Sequence, residues 1–244
     1  MKIAVFGALG HMGQEVCAAL EKNYGGHTLA AKIDTFGKDD VYTSLAAFSG
    51  EADAVVDFSH HSAVISMLED AKAKKMPAVI ATTGHTEAEQ AAILAASKEI
   101  PIFYAANMSV GVALLVKLAK DAARAMPDAD IEIIEKHHNR KLDAPSGTAL
   151  MIANALKEVR EDAKFVFGRG GQAKRESSEI GIHAVRMGNV VGEHEVILCT
   201  DSQTITLKHE AHSRALFAQG ALVAAAFLAT KAPGLYSMQD MLAQ

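Results

Sequence analysis

The stretch Lys2-Ile3-Ala4-Val5-Phe6-Gly7-Ala8-Leu9-Gly10-His11-Met12-Gly13 decides the fold. Its first five residues form a short, largely apolar run of the kind that makes a strand buried on both faces. Glycines then recur as GxxGxxG, and a helical pattern opens there and runs through Leu20. Strand, glycine turn and helix in direct succession begin a βαβ unit. The segments that follow keep this rhythm. Strands are expected at 28–33, 54–58, 78–81 and 102–104, with helices at 62–75 and 87–97 between the later ones. Val64, Met67, Leu68 and Ala71 line one stripe of the first of these helices. Thr86, with Glu89 three residues on, is the expected cap of the second. Such alternation predicts an α/β architecture, a doubly wound parallel sheet with right-handed crossovers.

After about residue 107 the rhythm changes. A helix over 112–125, stopped near Pro127, precedes a strand at 131–134 and a helix over 148–159. Strands at 165–167, 180–186, 192–199 and 203–209 then follow with few helices between them. That run predicts a separate α+β unit whose sheet is mixed or mainly antiparallel. The expected domains are 1–106 and 107–212, with a last helix within 213–244. Leu216, Gly220, Val223 and Phe227 mark one face of that helix. The glycine-rich segment 168–172 is the expected mobile loop.

Composition narrows the function classes. Half of the 244 residues are apolar, which suits a folded protein with a sizeable core. A net charge of −5 gives no general attraction to nucleic acid or anionic membrane, so an anionic ligand needs a local positive site. Cys17 and Cys199 lack CxxC spacing and suit a reducing cytoplasm. No apolar run reaches the roughly 20 residues of a bilayer crossing, and the run at 3–6 is too short for a signal peptide. A soluble, cytoplasmic protein is expected.

The glycine turn reads as a dinucleotide site. Gly7, Ala8, Leu9, Gly10, His11 and Met12 offer backbone N–H groups to a pyrophosphate, which a helix N-terminus favours. Asp34 ends the next strand roughly 20 residues past Gly13, the spacing of a ribose-binding acid. Ala81, Thr82 and Thr83 follow one strand, and Ala105, Ala106, Asn107 and Met108 another. Both groups lie where strand carboxyl ends open toward a ligand crevice, and small residues there admit a nicotinamide ring.

A second constellation is Glu135-Lys136-His137-His138-Asn139-Arg140-Lys141-Leu142-Asp143-Ala144-Pro145-Ser146-Gly147-Thr148-Ala149. A strand delivers histidines and cations directly to a helix start. His137 and His138 are adjacent, so on extended chain they point opposite ways, which argues against one shared metal. One fits a proton donor or substrate contact that the other orients. Lys141 fits a proton donor or a cationic clamp. Ser146, Gly147 and Thr148 present hydroxyls and N–H groups suited to a carboxylate or phosphate. No metal site is expected.

Together with Gly181-Ile182-His183-Ala184-Val185-Arg186, Val191-Gly192-Glu193-His194-Glu195 and Pro233-Gly234-Leu235-Tyr236, these motifs closely resemble the dihydrodipicolinate reductase family. The resemblance implies reduction of 4-hydroxy-tetrahydrodipicolinate to tetrahydrodipicolinate by NADH or NADPH, in the diaminopimelate route to lysine. It implies His137 as the catalytic donor/acceptor and Lys141 as the proton donor. His138, with Gly147 and Thr148, would hold the carboxylates of a small dicarboxylate substrate. Residues 7–12, Asp34, 81–83 and 105–108 would bind the cofactor. It further implies a homotetramer assembled through the sheet of the second domain, with the last helix packed back on the first domain and domain closure bringing the reactants together. His11 and Thr35 stand where the family often carries arginine, and His61 where proline is common. Asp34 favours a free ribose 2′-hydroxyl, while Lys32 or His11 remain available to a 2′-phosphate. Two other readings use the same residues: a reductase of similar build with another carbonyl or imine substrate, and a dinucleotide sensor without turnover.

Overall fold

The computed structural model describes residues 1–37 and 40–243, which form two compact units, Met1–Ser109 with Arg214–Gln244, and Val110–Ser213. In the first unit the strands are β1 (Lys2–Phe6), β2 (Thr28–Ile33), β3 (Val41–Tyr42), β4 (Ala54–Asp57), β5 (Ala78–Ile80), β6 (Pro101–Tyr104) and β12 (Gly234–Tyr236). They form one seven-stranded, wholly parallel sheet in the order β12-β6-β5-β4-β1-β2-β3. The direction of winding reverses between β1 and β4, the point at which such Rossmann-like sheets open a ligand crevice at their carboxyl ends. Helices α1 (His11–Glu21), α2 (Val64–Ala73), α3 (Glu87–Ala96), α6 (Ala215–Leu228) and α7 (Met238–Leu242) belong to the same unit.

Local chemistry accounts for these boundaries. β4 is buried along its whole length, as a central parallel strand must be. α2 turns the expected stripe of Val64, Met67, Leu68 and Ala71 into the core behind the sheet. A single 3-10 turn at His61–Ala63 precedes it, so the α-helix starts later than its periodicity suggests. Thr86 and Glu89 close a full capping box on α3. The stripe expected on α6 holds only in part, since Gly220 and Phe227 are buried but Val223 is not. Val223 lies 40% exposed, while Ala218, Ala221, Leu222, Ala224 and Ala225 are buried. A helix this rich in alanine and leucine has two buried sides, and no single apolar stripe can be read from it.

The second unit contains α4 (Val110–Ala125), β7 (Asp130–His137), α5 (Gly147–Lys157), β8 (Lys164–Phe167), β9 (Glu179–Arg186), β10 (Gly192–Cys199) and β11 (Thr204–Ala211). Its five strands run β11-β10-β7-β9-β8. The β10 strand is antiparallel to β7 and β11, but the β7–β9 and β8–β9 pairs are parallel. The sheet is therefore mixed and not mainly antiparallel. The α5 crossover carries the chain from β7 toward β8 and β9, and parallel strands require such a connection. Along β7 burial alternates strictly, with Ile131, Ile133, Glu135 and His137 on the covered face. The two isoleucines pack with residues of α4 and α5 in the core, including Leu115, Ala119 and Ile152. At the carboxyl end the same face changes from apolar to ionisable.

Candidate functional site

The first unit builds a nucleotide cradle where β1 meets α1. Gly7 has φ +79°, and a Cβ there would stand 2.7 Å from the Phe58 carbonyl and the Ser59 Cα. A Cβ at Gly13 would overlap the carbonyl of Gly7. Glycine is thus required for the turn to pass this close to the chain after β4. No side chain caps the start of α1, which leaves the N–H groups of its first turn for a ligand. A cleft of about 560 Å³ opens over the turn, lined by Gly7, Gly10, Asp34, Phe36, Ser59 and His60 among others.

Asp34 sits at the end of β2, with one carboxylate oxygen accepting the Leu9 N–H at 3.1 Å and the other the Phe36 N–H at 3.2 Å. Each oxygen keeps a lone pair for a ribose hydroxyl. Of the other residues expected here, His11 and Thr83 are exposed, while Ala8 and Ala81 are buried beside the crevice. The Thr82 hydroxyl turns inward and donates to Asp57 at 3.0 Å. Asn107 accepts the Ser109 N–H at 2.8 Å and fixes the turn after Ala105 and Ala106. Met108 lies in the core, so its side chain supports the crevice and does not line it. These residues fit a dinucleotide in the glycine clearance, the open helix start and the acid at the strand end.

Asp57 went unread in the sequence. It is fully buried at the end of β4, and burial pushes its carboxyl up, against the hydrogen bonds from Ser59 and Thr82. Nearby, His61 reaches the Glu89 carboxylate at 2.9 Å, and His85 approaches the Tyr104 hydroxyl at 3.3 Å.

In the second unit the ionisable end of β7 meets the start of α5. Ser146 caps that helix, its hydroxyl accepting the Ala149 N–H at 3.2 Å. Nothing stands within 4 Å of where a Cβ on Gly147 would be, so the helix start is open on that side. Backbone N–H groups, the open glycine and the helix dipole together make a place for a carboxylate. Thr148 and His138 are both partly buried at this edge. The Lys141 ammonium pairs with Asp143 at 2.8 Å, and that contact foremost holds the Asp143 carboxyl below its ordinary range.

Glu135 and Arg186 organise this end of the sheet, and neither was singled out from the sequence. The Glu135 carboxylate is fully buried. One of its oxygens accepts Arg186 Nη2 at 2.8 Å and the Ser146 N–H at 2.9 Å. The other accepts Arg186 Nη1 at 2.8 Å and lies 2.6 Å from His137 Nδ1. Burial alone would raise this carboxyl, but Arg186, His137 and Ser146 together carry it below its ordinary value. His194 stands across from Glu135 on β10, with Nε2 3.0 Å from the Ser146 hydroxyl and its ring 5.2 Å from that of His137. Burial, reinforced by His137, pushes His194 down to about 4. The sequence carried one usable signal. On a strand Glu135 and His137 share a face, being two apart. Arg186 and His194 needed the β9 and β10 registers, which only the folded sheet supplies. Among the described residues no cluster of His, Cys, Asp and Glu is arranged to hold a metal.

Comparison with known proteins covers both units. The profile for the N-terminus of dihydrodipicolinate reductase matches residues 1–108, and that for its C-terminus residues 111–242. A 4-hydroxy-tetrahydrodipicolinate reductase of Caldanaerobacter subterraneus subsp. tengcongensis is 48% identical, over 99% of this chain and 98% of its own. One of Clostridium novyi is 43% identical over the same shares. Among solved structures, the dipicolinate-bound dihydrodipicolinate reductase from Paenisporosarcina sp. TG-14 shares the fold, with a TM-score of 0.82, 24% identity and 99% of each chain covered. A probable dehydrogenase from Thermotoga maritima has a TM-score of 0.64 at 12% identity, over 98% of this chain and 92% of that one.

The His194 environment sets a pH dependence. On unfolding, the ring returns to its ordinary 6.5, so between 6.5 and about 4 the unfolded chain binds a proton that the folded chain excludes. This contribution to stability is complete above pH 6.5 and is lost as pH falls toward 4, a change on the order of 3 kcal/mol. Hydrogen exchange of the β7 and β10 amides at a series of pH values measures it, and His194→Gln should make the slope shallower. A wild-type profile that stays flat over that range contradicts the assignment.

Proposed function

This chain belongs to the dihydrodipicolinate reductase family, and on that premise we propose how its residues share the work of an oxidoreductase of the diaminopimelate route to lysine. The reaction is the reduction of 4-hydroxy-tetrahydrodipicolinate to tetrahydrodipicolinate. The ring loses its hydroxyl as water and gains one hydride and one proton. A bound nicotinamide dinucleotide supplies the hydride. The protein binds both reactants, orients them and delivers the proton. The observation that carries this reading is the pairing of an open, capped helix start with His137 and Lys141 on one stretch of chain.

The N–H groups of Gly147 and Thr148 and the imidazole of His138 hold the substrate carboxylates, and the α5 dipole adds to the attraction. Ser146 caps the helix and keeps those groups aimed outward. Lys141 leaves Asp143 when the second negative charge arrives, and its ammonium then clamps the substrate and donates the proton as charge develops on the ring. His137 handles proton transfer through Nε2, because its Nδ1 is committed to Glu135. Residues 7–12 hold the pyrophosphate, Asp34 the ribose, and the backbone at 81–83 and 105–108 borders the nicotinamide.

NADH is the proposed preferred reductant. Asp34 stands where a 2′-phosphate would bring like charge against it. Lys32, one of the two cations read as compensation, points its ammonium 3.7 Å from Glu21. We also propose a homotetramer. The face of the second unit's sheet away from α4 and α5 carries Ile134, Val185 and Ile197 among crossed ion pairs such as Lys136 with Glu193. Cys17 and Cys199 are unpaired thiols, in keeping with a cytoplasmic enzyme. No helix among the described residues is long and apolar enough to cross a membrane.

Substrate made fresh from pyruvate and aspartate semialdehyde by the upstream synthase tests the activity through loss of nicotinamide absorbance. Lys141→Ala should lower kcat by roughly 10²- to 10⁴-fold while leaving the Kd for NADH unchanged; joint loss of both means structural damage and sinks its assigned role. kcat/KM should favour NADH over NADPH by roughly tenfold or more, and parity contradicts the role given to Asp34. Light scattering should return four times the chain mass, and a monomer refutes the assembly.

A further inference from the structure

Glu135 accepts four hydrogen bonds at once, two from Arg186, one from Ser146 N–H and one from His137 Nδ1. Two carboxylate oxygens offer about four lone-pair sites, so this group is saturated and ionised and has no proton to give. The 2.6 Å contact with His137 therefore has one direction. Nδ1 carries the hydrogen and the carboxylate accepts it in a short, charge-assisted bond. The basic lone pair of the neutral ring then lies on Nε2. Room exists on that side because residue 192 is glycine. A Cβ there would come 3.0 Å from Nε2.

The same carboxylate reaches both other parts of the site. Its bond to the Ser146 N–H fixes the start of α5 against β7. Arg186, held by Glu135, also donates to the Asp143 carbonyl at 2.6 Å and so ties down the loop that carries Lys141. Register puts these groups together, since His137 pairs with Arg186 across β7–β9 and Glu135 with His194 across β7–β10. A buried ion pair that served stability alone would need neither the imidazole nor the helix start.

We propose that Glu135 is a positioning residue: its buried carboxylate locks His137 with the proton on Nδ1 and the basic lone pair on Nε2, and registers that ring against the Ser146–Thr148 cradle. This rests on His137 being the proton-handling ring. Glu135 itself touches neither substrate nor cofactor. Its part resembles that of a buried carboxylate orienting a histidine in hydrolases, where loss of the charge leaves the geometry and spoils the tautomer.

The test is nitrogen NMR of the imidazoles in the full-length protein labelled with 15N-histidine, with His137→Asn used to assign the His137 signals. At pH 8 the wild type should show a protonated Nδ1 and an unprotonated Nε2 at His137. Glu135→Gln should shift the ring toward the Nε2–H form and lower kcat by roughly 10²- to 10⁴-fold, with the Kd for NADH within a factor of two. Glu135→Asp keeps the charge opposite Arg186 but draws it back from the ring. It should show the same tautomer shift, and it serves if the glutamine variant does not fold. An Nε2–H ring in the wild type, or an Nδ1–H ring and undiminished turnover in either folded variant, overturns the proposal. Failure of the wild type to oxidise NADH with this substrate would defeat the functional reading while leaving the tautomer result to stand by itself.

Discussion

The ionisable end of the second unit's sheet depends on the buried ion pair between Glu135 and Arg186. A carboxylate with no exposure is tolerable only because a guanidinium fork meets both of its oxygens and two further N–H groups fill the rest. Removing one partner of such a pair costs about 3–5 kcal/mol, because the other is left charged and buried. The pair in turn places everything that matters nearby: His137 beside it, the helix start across from it, and the lysine-bearing loop through the Asp143 carbonyl. Local neutrality has a second consequence. Arg186 cancels the charge of Glu135, so an acid can stand close behind a pocket for carboxylates without repelling them.

The two units solve a related problem by related means. In the proposed reading each binds an anion on a chain whose net charge is −5. Each offers the N-terminus of a helix, where backbone N–H groups and the helix dipole supply positive potential that no long-range field provides. They differ in how the helix begins. Gly10 leaves α1 without a side-chain cap beneath a turn that only glycine can make, which suits a pyrophosphate lying against backbone. Ser146 caps α5 and is itself held by His194 and Glu135, which suits a rigid small molecule. Lys141 and His137 flank the second start and suit the proton chemistry proposed for it.

Much of this was legible in the chain. Parallel winding followed from strands such as Ala54–Asp57, apolar up to its last residue and separated by helices with a single stripe. The helix cap at Thr86 was legible because capping is local. What escaped notice is what pairing determines. β3 and β12 are two and three residues long, and they exist as strands only because β2 and β6 present edges to them. The parallel β7–β9 pair was missed for the same reason, since strand direction is a property of two segments. Glu135 and Arg186 read as ordinary members of a motif until register laid them side by side, 51 residues apart in the chain. Thr82 looked like a ligand by position, but the buried Asp57 beneath it claims its hydroxyl.

The most direct test is a crystal structure of this protein with NADH and dipicolinate, a flat dicarboxylate shaped like the substrate ring. One carboxylate should lie within hydrogen-bond reach of the Gly147 and Thr148 N–H groups. The Lys141 ammonium should have left Asp143 for the ligand, and the ring should lie beside Nε2 of His137. Dipicolinate bound elsewhere, with Lys141 still on Asp143 and the helix start empty, would contradict the account.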